Sequence, residues 1–81
     1  MSAARDVHVP SLGHGMGEAL LVEWVAGVGD RISRGDVVAL IETDKVSTDI
    51  LAERDGRISE LAVDAGTILH PGQLLYRMTT D

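Results

Sequence analysis

Residues 18–41 read EALLVEWVAGVGDRISRGDVVALI, and residues 55–78 read DGRISELAVDAGTILHPGQLLYRM. Set 37 positions apart, the two stretches align without a gap. Gly29 falls on Gly66, Gly35 on Gly72 and Glu23 on Glu60. Apolar positions coincide at Leu21/Ile58, Trp24/Leu61, Val28/Ala65, Ile32/Leu69, Val38/Leu75 and Ile41/Met78. Each copy reads as a strand, a glycine turn, a short hairpin corner and a second strand. Two such units can close a core that neither closes alone. The repeat therefore predicts a flattened barrel or sandwich with approximate two-fold symmetry.

Working outward, the remaining apolar runs are also of strand length. Val7–Pro10, Leu20–Ala26, Val37–Ile41, Ile50–Ala52, Ile58–Val63 and Leu74–Met78 are separated by glycine, aspartate and proline turn signals. Helix competes only over Glu18–Ala26, where Val22, Val25 and the flanking glycines favour strand. The expected fold class is all-β, with helix content near zero.

Composition narrows the function. The chain has 81 residues, which is one small domain. Seven Lys+Arg against thirteen Asp+Glu give a net charge of −6. Polyanion binding needs clustered cations, so nucleic acid and anionic membrane surfaces are not expected partners. There is no cysteine, which excludes disulfides, thiolate zinc sites and a cysteine nucleophile. No apolar run approaches the roughly 18 residues of a membrane span. Met1–Asp6 has no apolar stretch of the secretory kind. The expectation is a soluble, cytoplasmic, monomeric domain. Phenylalanine is absent, so Val, Leu, Ile and Ala must make the core, with Trp24 and Leu61 in it. Lys45 is the sole lysine.

Lys45 lies between two strand-like runs, Val37–Glu42 and Ser47–Ala52. The connection Thr43-Asp44-Lys45-Val46, with Asp near its start, fits a type I turn. At the tip Lys45 is solvated, with no desolvating pocket to make it a base or Schiff-base nucleophile. A flexible amine on a rigid, protruding turn suits attachment of a group by another enzyme. The repeat maps this segment onto Thr79-Thr80-Asp81, so it should lie at the opposite end from the termini.

Glu42-Thr43-Asp44-Lys45-Val46 resembles the attachment motif of lipoyl domains, the swinging-arm domains of 2-oxo acid dehydrogenase complexes. Pro10-Ser11-Leu12-Gly13, Glu23-Trp24, Gly29-Asp30, Gly35-Asp36, Gly56, Gly66 and Gly72 stand where that family has similar residues. The likeness covers residues 7–79 as one carrier domain and leaves 1–6 as a loose tail. It implies two four-stranded antiparallel sheets with quasi-two-fold symmetry. It also implies lipoate in amide linkage to Lys45, with Glu42, Thr43, Asp44 and Val46 forming the turn read by a lipoate ligase or lipoyl transferase. The lipoyl group would take an acyl group from a thiamine-diphosphate-dependent decarboxylating enzyme and pass it to an acyltransferase. Dihydrolipoamide dehydrogenase would reoxidise it. The domain would have no active site of its own; it supplies proximity. Leu12, Gly13, His14, Gly15 and Met16 correspond to a loop that in the family contributes to recognition by the decarboxylating enzyme. With no Pro/Ala-rich linker before Asp81, the chain is expected as a stand-alone carrier, an excised piece being the other reading.

Two alternatives stand beside this one. A biotinyl carrier of a carboxylase has a similar lysine hairpin, but its lysine is normally flanked by methionines; here the flanks are Asp44 and Val46. An unmodified module used only for protein contact is the other. Family members commonly have glycine after the glutamate opening the second strand, where this chain has Ala19. Glu42, Asp44 and Asp49 are either a solvated acidic face or a steering surface for basic partners. His8, His14 and His70 have no metal-ligand spacing. Asp30 and Asp36, beside glycines, are expected turn-formers.

Overall fold

The computed structural model describes residues 3–11 and 17–80. Eight strands run in order β1 (Ala3–His8), β2 (Ala19–Trp24), β3 (Arg31–Ile32), β4 (Val37–Glu42), β5 (Ser47–Leu51), β6 (Gly56–Leu61), β7 (Ile68–Leu69) and β8 (Leu74–Thr80). They form two four-stranded antiparallel sheets, β1-β8-β6-β3 and β5-β4-β2-β7, with no helix among the described residues. The two inner faces meet over one core.

The repeat is a structural two-fold. β2, β3 and β4 take the places of β6, β7 and β8, residue for residue. Ala19 pairs with Leu69 as Gly56 pairs with Ile32. The β2–β4 ladder shifts register between Leu21 and Glu23, and the β6–β8 ladder between Ile58 and Glu60. Gly29, Gly35, Gly66 and Gly72 are the described residues with positive φ, at 87° to 94°. They are the two glycine pairs that the alignment matches. Residues with a Cβ rarely adopt this conformation, so each corner requires glycine. The amide of Gly35 donates to the Ala52 carbonyl at 2.8 Å, and that of Gly72 to the Val9 carbonyl at 2.9 Å. Asp30 and Asp36 form turns as expected. Their carboxylates accept from the amides of Gly27 and Ser33, both at 2.8 Å. Gln73 replaces Asp36 in the second copy, its Oε1 accepting from the His70 amide at 3.0 Å.

Matched apolar positions fill the core in pairs: Leu21 with Ile58, Ile32 with Leu69, Val38 with Leu75, Ile41 with Met78. The pair Val28/Ala65 does not, Val28 being in an exposed turn. Trp24 and Leu61 pack against the core from its margin and are only partly buried. The Trp24 indole N–H donates to the Val63 carbonyl at 3.0 Å, and its ring meets Tyr76 edge to face at 6.1 Å. Tyr76 is fully buried. Burial pushes its hydroxyl above the ordinary value of 10.0, and the Glu53 charge adds to the shift.

Of the expected loose tail over 1–6, Ala3–Asp6 belong instead to β1, and residues 1–2 lie outside the described residues. Ala3–Asp6 pair in register with β8, from Ala3 opposite Thr80 to Asp6 opposite Arg77. Arg77 holds Asp6 at 3.1 Å. Main-chain pairing and this ion pair extend the strand over residues too polar to read as one.

Candidate functional site

β4 and β5 end at the paired residues Glu42 and Ser47, and Thr43–Val46 close the hairpin. The Thr43 amide donates to the Val46 carbonyl at 2.8 Å. The Thr43 hydroxyl supplies the rest. It accepts from the amides of Val46 at 3.1 Å and Lys45 at 3.3 Å, and lies 3.2 Å from the Val46 carbonyl as donor. The turn is thus organised by Thr43, rather than by the aspartate on which the sequence expectation leaned. Threonine hydroxyls close such turns by mimicking a backbone carbonyl, so a Thr opening a four-residue connection was the available signal.

Asp44, Lys45 and Val46 are exposed, and no described residue holds the Lys45 amine in an ion pair. An amine free at the tip of an ordered turn fits amide attachment of an extended group. The two-fold exchanges this turn with the paired chain ends, Glu42/Ser47 corresponding to Thr79/Ala4. The turn and the Ala4/Thr79 pair therefore lie on opposite sides of the axis of a body 41 Å long.

Glu42, Asp44 and Asp49 are exposed around the turn. Pro10 and Ser11 line one groove with Thr43, Val46 and Thr48, so these two residues lie beside the hairpin. The expected recognition loop, Leu12, Gly13, His14, Gly15 and Met16, lies outside the described residues. His70 is exposed and sits 3.4 Å from Glu18. No cluster of metal-ligating side chains occurs among the described residues. Among the described residues no helix is long and apolar enough to cross a membrane.

Residues 5–78 match the biotin/lipoyl attachment family, described as "Biotin-requiring enzyme". The chain is 33% identical over 70 residues, 86% of its length, to the dihydrolipoyllysine-residue succinyltransferase component of a 2-oxoglutarate dehydrogenase complex from Staphylococcus saprophyticus. It is 40% identical over 62 residues, 76% of its length, to a pyruvate dehydrogenase E1 component subunit beta from Rhizobium meliloti. It spans only 16% and 14% of those relatives. Among solved structures it resembles the lipoyl domain of the 2-oxoglutarate dehydrogenase complex from Azotobacter vinelandii, with TM-score 0.71 and 30% identity, covering 90% of this chain and 92% of that one. The fold alone is shared with a single-chain, multi-domain long-chain acyl-CoA carboxylase, with TM-score 0.80 and 18% identity over 96% of this chain and 7% of that one. Ala19, where a glycine was expected, leaves this backbone intact. An exposed lysine on the hairpin, a two-fold barrel around it and these likenesses agree: the chain belongs to the biotin/lipoyl attachment family, a lipoyl-type carrier domain for a covalently attached cofactor rather than an enzyme with its own active site.

Proposed function

We propose that Lys45 carries lipoate, and that the domain shuttles acyl groups and electrons among the enzymes of a 2-oxo acid dehydrogenase system. The observation that carries this reading is the Lys45 turn, an exposed amine with no ion-pair partner among the described residues, flanked by Asp44 and Val46. When attached, the lipoyl group supplies a dithiolane that is reductively acylated and later reoxidised. The chain's residues do three things around it. Thr43 fixes the direction in which the Lys45 stem leaves the barrel. Glu42, Asp44 and Val46 present the turn to a lipoate ligase or lipoyl transferase. The barrel holds the arm at high effective concentration beside a thiamine-diphosphate-dependent decarboxylating enzyme, an acyltransferase and dihydrolipoamide dehydrogenase.

The test is intact mass with peptide mapping after incubation with lipoate ligase, ATP and lipoate, and in parallel with biotin ligase and biotin. A lipoyl adduct on Lys45, absent from Lys45→Arg with its unfolding midpoint unchanged, is expected. A biotinyl adduct instead would make the domain a carboxylase carrier, and no adduct from either ligase would leave a contact module.

A further inference from the structure

The two sheets share a backbone but not an outer face. Where the two-fold exchanges buried positions, apolar residues meet apolar residues. Where it exchanges outward positions, Leu20 stands in the place of Arg57, Leu40 of Arg77, and Ile68 of Arg31. The outer face of β1, β8, β6 and β3 carries three arginines, Arg31, Arg57 and Arg77, with Asp6 and Glu60. The strands β5, β4, β2 and β7 carry Glu23, Glu42 and Asp49 and no cation.

The ion pairs show what the second face lacks. Arg77 reaches Asp6 at 3.1 Å and Glu60 at 2.9 Å, across three adjacent strands. The counterparts of those two acids, Asp49 and Glu23, flank Leu40 on its two neighbouring strands. Two carboxylates thus stand in the frame of an ion-pair triad with a leucine at its centre. Beside them Leu20 and Ile68 are cross-strand neighbours, 36% and 45% exposed. With Glu42, Thr43 and Asp44 they line a groove that runs to the attachment turn. A second groove, between Val22, Leu40, Glu42 and Asp49, continues it down the sheet.

We propose that the outer face of β5-β4-β2-β7, centred on Leu20, Leu40 and Ile68, is the docking surface for the decarboxylating enzyme, through an apolar contact ringed by that enzyme's arginines or lysines. Apolar centre and acidic rim are complementary to such a surface, and the rim brings Lys45 to it. A second copy of this chain is the lesser candidate. Its Arg77 is engaged by its own Asp6 and Glu60, and its Arg57 by the Gly29 carbonyl at 2.7 Å. Sheet-on-opposite-sheet contact would also be heterologous and open-ended. The proposal rests on the carrier reading above and goes beyond it by assigning the face.

The test has two parts. The 15N-labelled, unmodified chain is titrated with the decarboxylating components of a pyruvate and a 2-oxoglutarate dehydrogenase complex, and amide perturbations are mapped. Separately, lipoylated wild type is compared with lipoylated Leu20→Arg/Ile68→Arg in reductive acylation, with rates expressed per lipoylated domain. The twin sheet already tolerates arginine at both places, so folding should survive; the unfolding midpoint checks it. Perturbations at Leu20, Leu40 and Ile68, and a KM raised roughly tenfold or more in the double variant with kcat little changed, are expected with the responding enzyme. Perturbation of the Arg31, Arg57 and Arg77 strands instead, or a wild-type KM in the variant, overturns the face and spares the carrier. Concentration-dependent self-association that the double variant abolishes assigns the face to a second copy and likewise overturns the proposal. A lipoylated wild type that neither enzyme acylates or perturbs overturns the face, whereas the carrier reading falls only if Lys45 takes no lipoyl group.

Discussion

The amide of Val46 donates to the hydroxyl of Thr43, at 3.1 Å, where an ordinary turn would use the Thr43 carbonyl. Lys45 is therefore positioned by a side chain that can be altered without touching the barrel. Thr43→Val should slow lipoylation of Lys45 several-fold and lower the unfolding midpoint only moderately, since the three hydrogen bonds of the hydroxyl all lie in the exposed turn and each contributes at most about 1 kcal/mol. Thr43→Ser should restore the rate. Equal ligase kinetics for all three chains would show that turn order does not matter to modification.

Gly56 and Ala19 occupy equivalent places, yet they should respond differently to volume. A Cβ at Gly56 would run into the Thr79 carbonyl oxygen and the Met78 Cε. Gly56→Ala is expected to destabilise by about 1–3 kcal/mol, the usual range for overpacking a closed core. Ala19→Gly should cost less, about 1 kcal/mol, through backbone freedom. Chemical denaturation of both variants gives the comparison, and a neutral Gly56→Ala would contradict the close approach.

Tyr76 gives the fold an alkaline limit. Its hydroxyl titrates above 10.0 in the folded chain because it is buried, with Glu53 adding to the effect. The unfolded chain therefore loses this proton first, so the native state binds more protons at high pH. The contribution is fully present below the unfolded value and is lost as pH rises through the folded one. The unfolding midpoint should fall as pH is raised past about 10, and Tyr76→Phe should flatten that slope. An unchanged slope in Tyr76→Phe would assign the alkaline loss to other groups.

Charge around the turn should set encounter rate. Glu42, Asp44 and Asp49 are exposed beside Lys45, and the proposed lipoylation would remove the lysine charge, taking the chain from −6 to −7. Raising ionic strength from ~0.01 to ~0.15 M shortens the screening length from ~30 to ~8 Å. Association with a basic partner should slow several-fold over that range in stopped-flow measurements. A flat profile would make these acids a solvated surface.

The repeat made the architecture readable because its marks are backbone requirements. Gly29, Gly35, Gly66 and Gly72 are the glycines that turn through positive φ, so matching them matched the corners. Lys45 stands out in the sequence because no other lysine competes with it, and the structure places it exposed on the β4–β5 hairpin. Ala3–Asp6 were not, since pairing with β8 is made by main chain and carries no apolar signature. Trp24 was placed deeper than it lies, because its N–H needs the Val63 carbonyl at the core's margin. The outward face of β2, β4 and β7 was hidden for a different reason. Leu20, Leu40 and Ile68 read as core by type, and only the sheet's pleat shows that they point away from it.

Ala3 and Thr80 are neighbours, the Thr80 hydroxyl donating to the Ala3 carbonyl at 3.3 Å. β8 stands to β1 as β4 stands to β5. Joining those ends through a short turn and opening the chain at the Lys45 hairpin would thus return the same topology with its two halves renamed. The molecule is close to being its own circular permutant, as expected of a structure assembled from two copies of one half-barrel. Which corner bears Lys45 and which bears the Ala3/Thr80 pair is then set by the order of the two halves along the chain, not by the fold.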